Sequence, residues 1–86
     1  MLLESTERFK RAYKKLDPQK RRAVQKALGL MATDIRHPSL QVKKMQGAGG
    51  IWEARASISL RLTFEMHSDA VLLRNVGEHD ETLERP

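Results

Sequence analysis

Cysteine is absent from this sequence, which excludes disulfides and thiolate metal centres. No stretch approaches the ~18 consecutive apolar residues of a membrane span. The opening Met1-Leu2-Leu3-Glu4-Ser5 sets an acid after two leucines, where a secretory signal would have a long apolar run. The chain is therefore expected to stay where it is made, in the cytoplasm, away from membranes. There is no internal repeat and no low-complexity tract. No two of the histidines have metal-ligand spacing, so neither a metal nor another cofactor is expected. With 86 residues, the chain reads as one domain, 1–86. A chain of this size buries only somewhat more than ~60% of its unfolded surface, so a partner covering one face could add much of its stability.

What is present is charge, unevenly placed. The formal net charge is +5 and the pI about 10.0. Residues 1–50 carry 12 Lys/Arg against 4 Asp/Glu, whereas residues 51–86 carry 4 against 7. A basic chain favours an anionic partner through attraction and counterion release, although lysines on helix backs can equally be solvated.

The residue pattern predicts an α+β domain: a short N-terminal strand, a two-helix antiparallel hairpin, then an antiparallel sheet packed against it. Residues 1–5 form the first strand, with Leu2 or Leu3 facing inward. Ser5 or Thr6 offers an N-cap oxygen, and Phe9, Ala12, Tyr13 and Leu16 recur at helical spacing. Asp17-Pro18 restarts a helix, the aspartate capping and the proline taking the first helical position. Val24, Ala27, Leu28, Met31 and Ile35 then share one face, opposite Lys20, Arg21, Arg22 and Lys26. His37-Pro38-Ser39 ends the pair, and residues 40–50 read as a loop or ragged strand with Gly47, Gly49 and Gly50 at its end.

From Trp52 the period becomes two. Trp52, Ala54, Ala56 and Ile58 alternate with Glu53, Arg55 and Ser57; Leu60, Leu62, Phe64 and Met66 alternate with Arg61, Thr63 and Glu65. His67-Ser68-Asp69 reads as a hairpin turn, and Ala70–Val76 as a third, more buried strand. Alternation puts Glu53, Arg55, Arg61 and Thr63 together on the face away from the helices.

Three strings, Ile51-Trp52-Glu53-Ala54-Arg55, Leu60-Arg61-Leu62-Thr63-Phe64 and Asn75-Val76-Gly77-Glu78-His79-Asp80, resemble the RelE/ParE superfamily of type II toxin–antitoxin toxins. Pro38-Ser39-Leu40, Lys43-Lys44-Met45-Gln46-Gly47 and the span from Phe9 to Leu16 fit the same pattern. The resemblance thus covers nearly the whole chain. The ending around His79-Asp80 is most similar to RelE/YafQ-type ribosome-dependent mRNA endonucleases.

This resemblance implies a two-helix layer on an antiparallel sheet whose open concave face receives RNA. It implies a toxin that cuts mRNA on the ribosome without metal, through attack of the RNA 2′-hydroxyl on the adjacent phosphorus. It also implies a cognate antitoxin partner. Such chemistry requires a base, cations for the phosphorane and an acid for the leaving oxygen. His79 matches the family's catalytic histidine or arginine, and imidazole exchanges protons near neutrality. Arg61 matches the arginine that clamps the scissile phosphate; it could also form a cross-strand ion pair with Glu53 that opens when RNA arrives. Arg55 and Glu53 match two outward lysines of RelE-like members. Arg55 keeps the cation; Glu53 reverses it, as a general base or as a partner of Arg55. Lys43 and Lys44 would contact RNA or ribosomal RNA backbone, with Asn75 a further RNA contact, unless the lysines are simply solvated. The family usually carries an aromatic four residues after the histidine, and here that position is Leu83. The resemblance therefore carries phosphate binding further than it carries cleavage. A non-cleaving or gyrase-poisoning ParE-type homologue is the second reading. A nucleic-acid-binding module contacted through Lys20, Arg21 and Arg22 is the third.

Overall fold

A computed structural model describes residues 1–86, and its elements follow in chain order. The first strand, β1 (Leu2–Ser5), leads into helices α1 (Glu7–Lys14) and α2 (Pro18–Thr33). After a 3-10 turn at Pro38–Leu40 come β2 (Lys43–Lys44), β3 (Ile51–Arg55), β4 (Leu60–Met66) and β5 (Ala70–Glu78). A six-residue helix, α3 (His79–Glu84), closes the chain. The five strands form one sheet in the order β1-β5-β4-β3-β2.

Local chemistry sets the helix starts. Thr6 caps α1: its side chain accepts from the Phe9 amide at 3.0 Å, while its hydroxyl donates to the Arg74 carbonyl at 3.2 Å. One residue thus ends β1, starts α1 and ties both to β5. Asp17 caps α2 through the Lys20 amide at 2.9 Å, with Pro18 in the first turn, where its missing N–H costs nothing. The turn between β2 and β3 uses Gly47 at φ +76° and Gly50 at φ +72°, a region closed to most side chains.

The core lies between the helix pair and one sheet face. Phe9, Val24, Ala27, Met31 and Leu40 meet Ala54, Leu60, Leu62, Phe64, Val71, Leu73 and Val76, all buried. Each fully buried large side chain contributes about 1.5–3 kcal/mol relative to exposure. Trp52 packs half-buried against this cluster, as its parity predicts.

Four expectations change. The sheet is mixed rather than wholly antiparallel: β1 pairs parallel with the first half of β5, because the two helices carry the chain across before it returns. Ile58 is not an inward strand residue. It sits 81% exposed in the turn after β3, which ends at Arg55. Ile35 lies beyond the end of α2, though it still packs on the core. The largest change concerns the outer sheet face, expected to be open. Residues 79–86 fold back over its β4–β5 half, where Thr63 is completely buried beneath the tail; Glu53, on the neighbouring β3, is only 8% exposed.

The β5 register also carries an irregularity. Thr63 pairs with Asn75 but Phe64 pairs with Leu73, leaving Arg74 as the extra residue of a bulge. A Leu62→Ala substitution is expected to lower unfolding free energy by about 2–5 kcal/mol, and Ile58→Ser to change it by less than about 0.5 kcal/mol, both read by urea denaturation.

Candidate functional site

Strand register decides which polar groups meet on the face away from the helices. Arg55 of β3 stands directly opposite Arg61 of β4, and Arg61 opposite Gly77 of β5. The next row runs Lys43, Glu53, Thr63 and Asn75 across four strands. Two guanidiniums opposite one another repel unless an anion lies between them. Arg55 makes no side-chain hydrogen bond or ion pair. Arg61 is anchored through Nη1 alone, to the carbonyls of Ser57 at 2.9 Å, Leu60 at 3.0 Å and Ile58 at 3.3 Å. Its Nε and Nη2 stay uncommitted.

The same turn holds His79. Its amide donates to the Ser59 carbonyl at 2.7 Å, so His79 and Arg61 grip one four-residue loop from two sides. The imidazole Nδ1 lies 2.8 Å from Asp80 Oδ1, and the ring is about half exposed. An Nδ1–H donated to that carboxylate leaves Nε2 free to accept or deliver a proton. Arg55, Arg61 and His79 are therefore brought to one end of the sheet.

Other expected site residues stand apart or act differently. Glu53 pairs with neither Arg61 nor Arg55: the register sets it opposite Thr63 and Lys43, and its nearest cation is Lys43 Nζ at 4.0 Å. Lys43 and Lys44 form the exposed edge strand β2. Asn75 donates through Nδ2 to the Arg85 carbonyl at 3.0 Å and accepts from the Val76 amide at 2.9 Å, so the folded-back tail already occupies it. Leu83 is half-buried in α3. No group of three or more His, Asp or Glu is placed to hold a metal ion.

Arg74 was not foreseen as a site residue. The bulge turns it onto the outer face, where it pairs with Glu65 at 2.5 Å and reaches the tail through Nε, 3.2 Å from the Pro86 carbonyl. The residues alone gave no clear signal, since Leu72 is as apolar as its neighbours; it is the burial of Val71, Leu73 and Val76 that breaks strict alternation and marks the bulge. The Arg74 hydrogen bond holds the Glu65 carboxyl below its ordinary 4.5, against desolvation, with the Arg74 charge and His67 adding to the effect. At the C-terminal end of β5 Glu78 binds Lys20 at 2.8 Å and raises the ammonium above its ordinary value.

No protein-family model matches the chain, and no curated protein matches it in sequence. Solved structures do. The fold is similar to YafQ from E. coli strain BL21(DE3), with a TM-score of 0.76 at 15% identity over 93% of this chain and 94% of that one. It is similar to the RelB–RelE antitoxin–toxin complex from Methanococcus jannaschii, at 0.75 and 15% identity over 96% and 99%. The intact E. coli RelBE toxin–antitoxin complex gives 0.71 and 21% identity over 92% and 96%. The chain has the RelE-like toxin fold.

The lowered Glu65 value predicts an acid limb of stability. Its contribution is fully present above the ordinary 4.5 and is lost as pH falls through the lower folded-state value. Glu65→Gln is expected to flatten the fall in thermal midpoint below pH 4.5, measured by circular dichroism at successive pH steps.

Proposed function

We propose that this chain is the toxin of a type II toxin–antitoxin system and cleaves mRNA on the ribosome without a metal ion. The observation that carries this reading is the unneutralised Arg55–Arg61 pair beside a histidine whose Nδ1 is held by a carboxylate. The fold it shares with RelE and YafQ toxins supports the same reading. An anionic tetrahedral centre between the two guanidiniums would remove their mutual repulsion, and it would do so most where phosphate charge is greatest.

In the proposed reaction the RNA 2′-oxygen bonds to the adjacent phosphorus and the bond from phosphorus to the 5′-oxygen breaks. A cyclic phosphate and a free 5′-hydroxyl result. Arg55 and Arg61 hold the non-bridging oxygens. His79, with Nδ1 held by Asp80 and Nε2 without a protein partner, delivers the proton to the departing 5′-oxygen. Glu53, one row along, is the carboxylate available for the 2′-proton. Lys43 and Lys44 on the edge strand extend a cationic path for RNA or ribosomal RNA backbone, and Asn75 adds a contact once the tail has moved. The partner is a cognate antitoxin, and the working compartment is the cytoplasm.

Leu83 favours one other reading, a non-cleaving homologue that binds RNA through the same arginines, because no aromatic side chain from α3 is there to stack on a base. Induced expression separates the two. The nuclease reading expects growth arrest with new mRNA 5′-ends on ribosomes, mapped by primer extension. His79→Ala should lower cleavage by about 10²–10⁴-fold and Arg61→Ala by about 10²–10³-fold, with the folded state retained. Intact mRNA during arrest would select the binding-only reading, and a DNA-damage response without translation arrest would select a gyrase-directed one.

A further inference from the structure

The tail is attached to the outer sheet face in an unusual way. Two successive carbonyls, those of Arg85 and Pro86, accept from four side chains on three different elements. Thr63 Oγ1 and Arg74 Nε reach the Pro86 oxygen at 3.0 and 3.2 Å. Asn75 Nδ2 reaches the Arg85 oxygen at 3.0 Å, and an Arg8 Nη2 hydrogen bond from α1 joins it there. Side-chain donors, two of them guanidiniums, gathered on two adjacent backbone oxygens form a donor set that a phosphodiester would also satisfy. Thr63 is the deepest member: it is wholly buried, and its hydroxyl is satisfied only by the tail.

Little else holds the tail down. The helix α3 has six residues, and its N-cap makes no side-chain hydrogen bond. A helix this short is not stable alone. It carries acids at Asp80, Glu81 and Glu84, and its only large apolar side chain is the half-buried Leu83. Thr82 is buried against Gly77: a Cβ built on Gly77 lies 2.8 Å from Thr82 Oγ1. A segment held mainly by polar contacts, with little apolar burial, opens at low cost relative to the sheet beneath it.

We propose that residues 81–86 are a releasable strap whose Arg85 and Pro86 backbone oxygens stand in for RNA phosphate oxygens, so that strap and RNA compete for Thr63, Arg74 and Asn75, while Asp80 stays on His79. This deepens the RNA-binding reading and rests on it. The strap-closed state covers the row next to Arg55 and Arg61, and RNA entry requires its release. His79 stays in place throughout, because its amide is anchored to Ser59 outside the strap.

The absence of native cysteine allows a clean lock. Gly77→Cys with Thr82→Cys places the two γ positions within bonding reach, and Gly77 has no positive φ to strain. The probe is a fluorescein-labelled ten-nucleotide single-stranded RNA read by anisotropy at low salt. The oxidised double variant is expected to bind about tenfold more weakly than the same protein reduced with dithiothreitol. Leu83→Ala, which loosens the strap, should bind more tightly than wild type. Equal affinity of oxidised and reduced forms, or no RNA binding by any form, overturns the competition. Hydrogen exchange tests release without RNA: strap amides should exchange far faster than those of β4 and slow on oxidation. Exchange no faster than β4 overturns the strap itself. Lock-sensitive RNA binding with intact cellular mRNA would sink the nuclease reading alone and leave the strap standing.

Discussion

The central strand β4 is hydrogen-bonded to β3 on one side and to β5 on the other, and both of its faces are covered. Inward, Leu60, Leu62 and Phe64 fill the space under the helices with no measurable exposure beyond 1%. Outward, Arg61, Thr63 and Glu65 meet a turn, the tail and Arg74 respectively. Shifting this strand by one residue would exchange its apolar and polar sets. The core and the candidate site therefore rest on a single register.

That register explains why two arginines face each other. Facing cations weaken a sheet, and a sequence selected for stability alone would set a carboxylate opposite one of them. Instead the acid, Glu53, lies one row away beside Lys43, while Glu65 is spent on Arg74. The chain keeps an uncompensated positive pair at the end of the sheet where His79 emerges. Local rules broken without a compensating structural gain are where function is expected.

The tail gives this face two possible uses. Its carbonyls satisfy donors that would otherwise be buried and unpaired, which stabilises the closed form. Under the proposed reading the same donors would serve the anionic oxygens of a phosphate backbone. A face built this way can be stable when empty and still accept its ligand.

Much of this was legible in the residues. Period-two alternation over Leu60–Met66, the Asp17-Pro18 restart and the apolar face of α2 are local patterns, set by backbone geometry and side-chain direction that neighbours along the chain decide. They determined the order of elements, the core and the shared face of Arg55 and Arg61. Tertiary structure decided the rest. The parallel pairing of β1, the bulge that turns Arg74 outward and the return of residues 79–86 over Thr63 all join residues distant in sequence. Asn75 and Arg85 bond across the polar face, and Thr63 meets Pro86. Such contacts form only after the sheet has assembled, and a sequence period carries no record of which distant carbonyl will satisfy a buried hydroxyl.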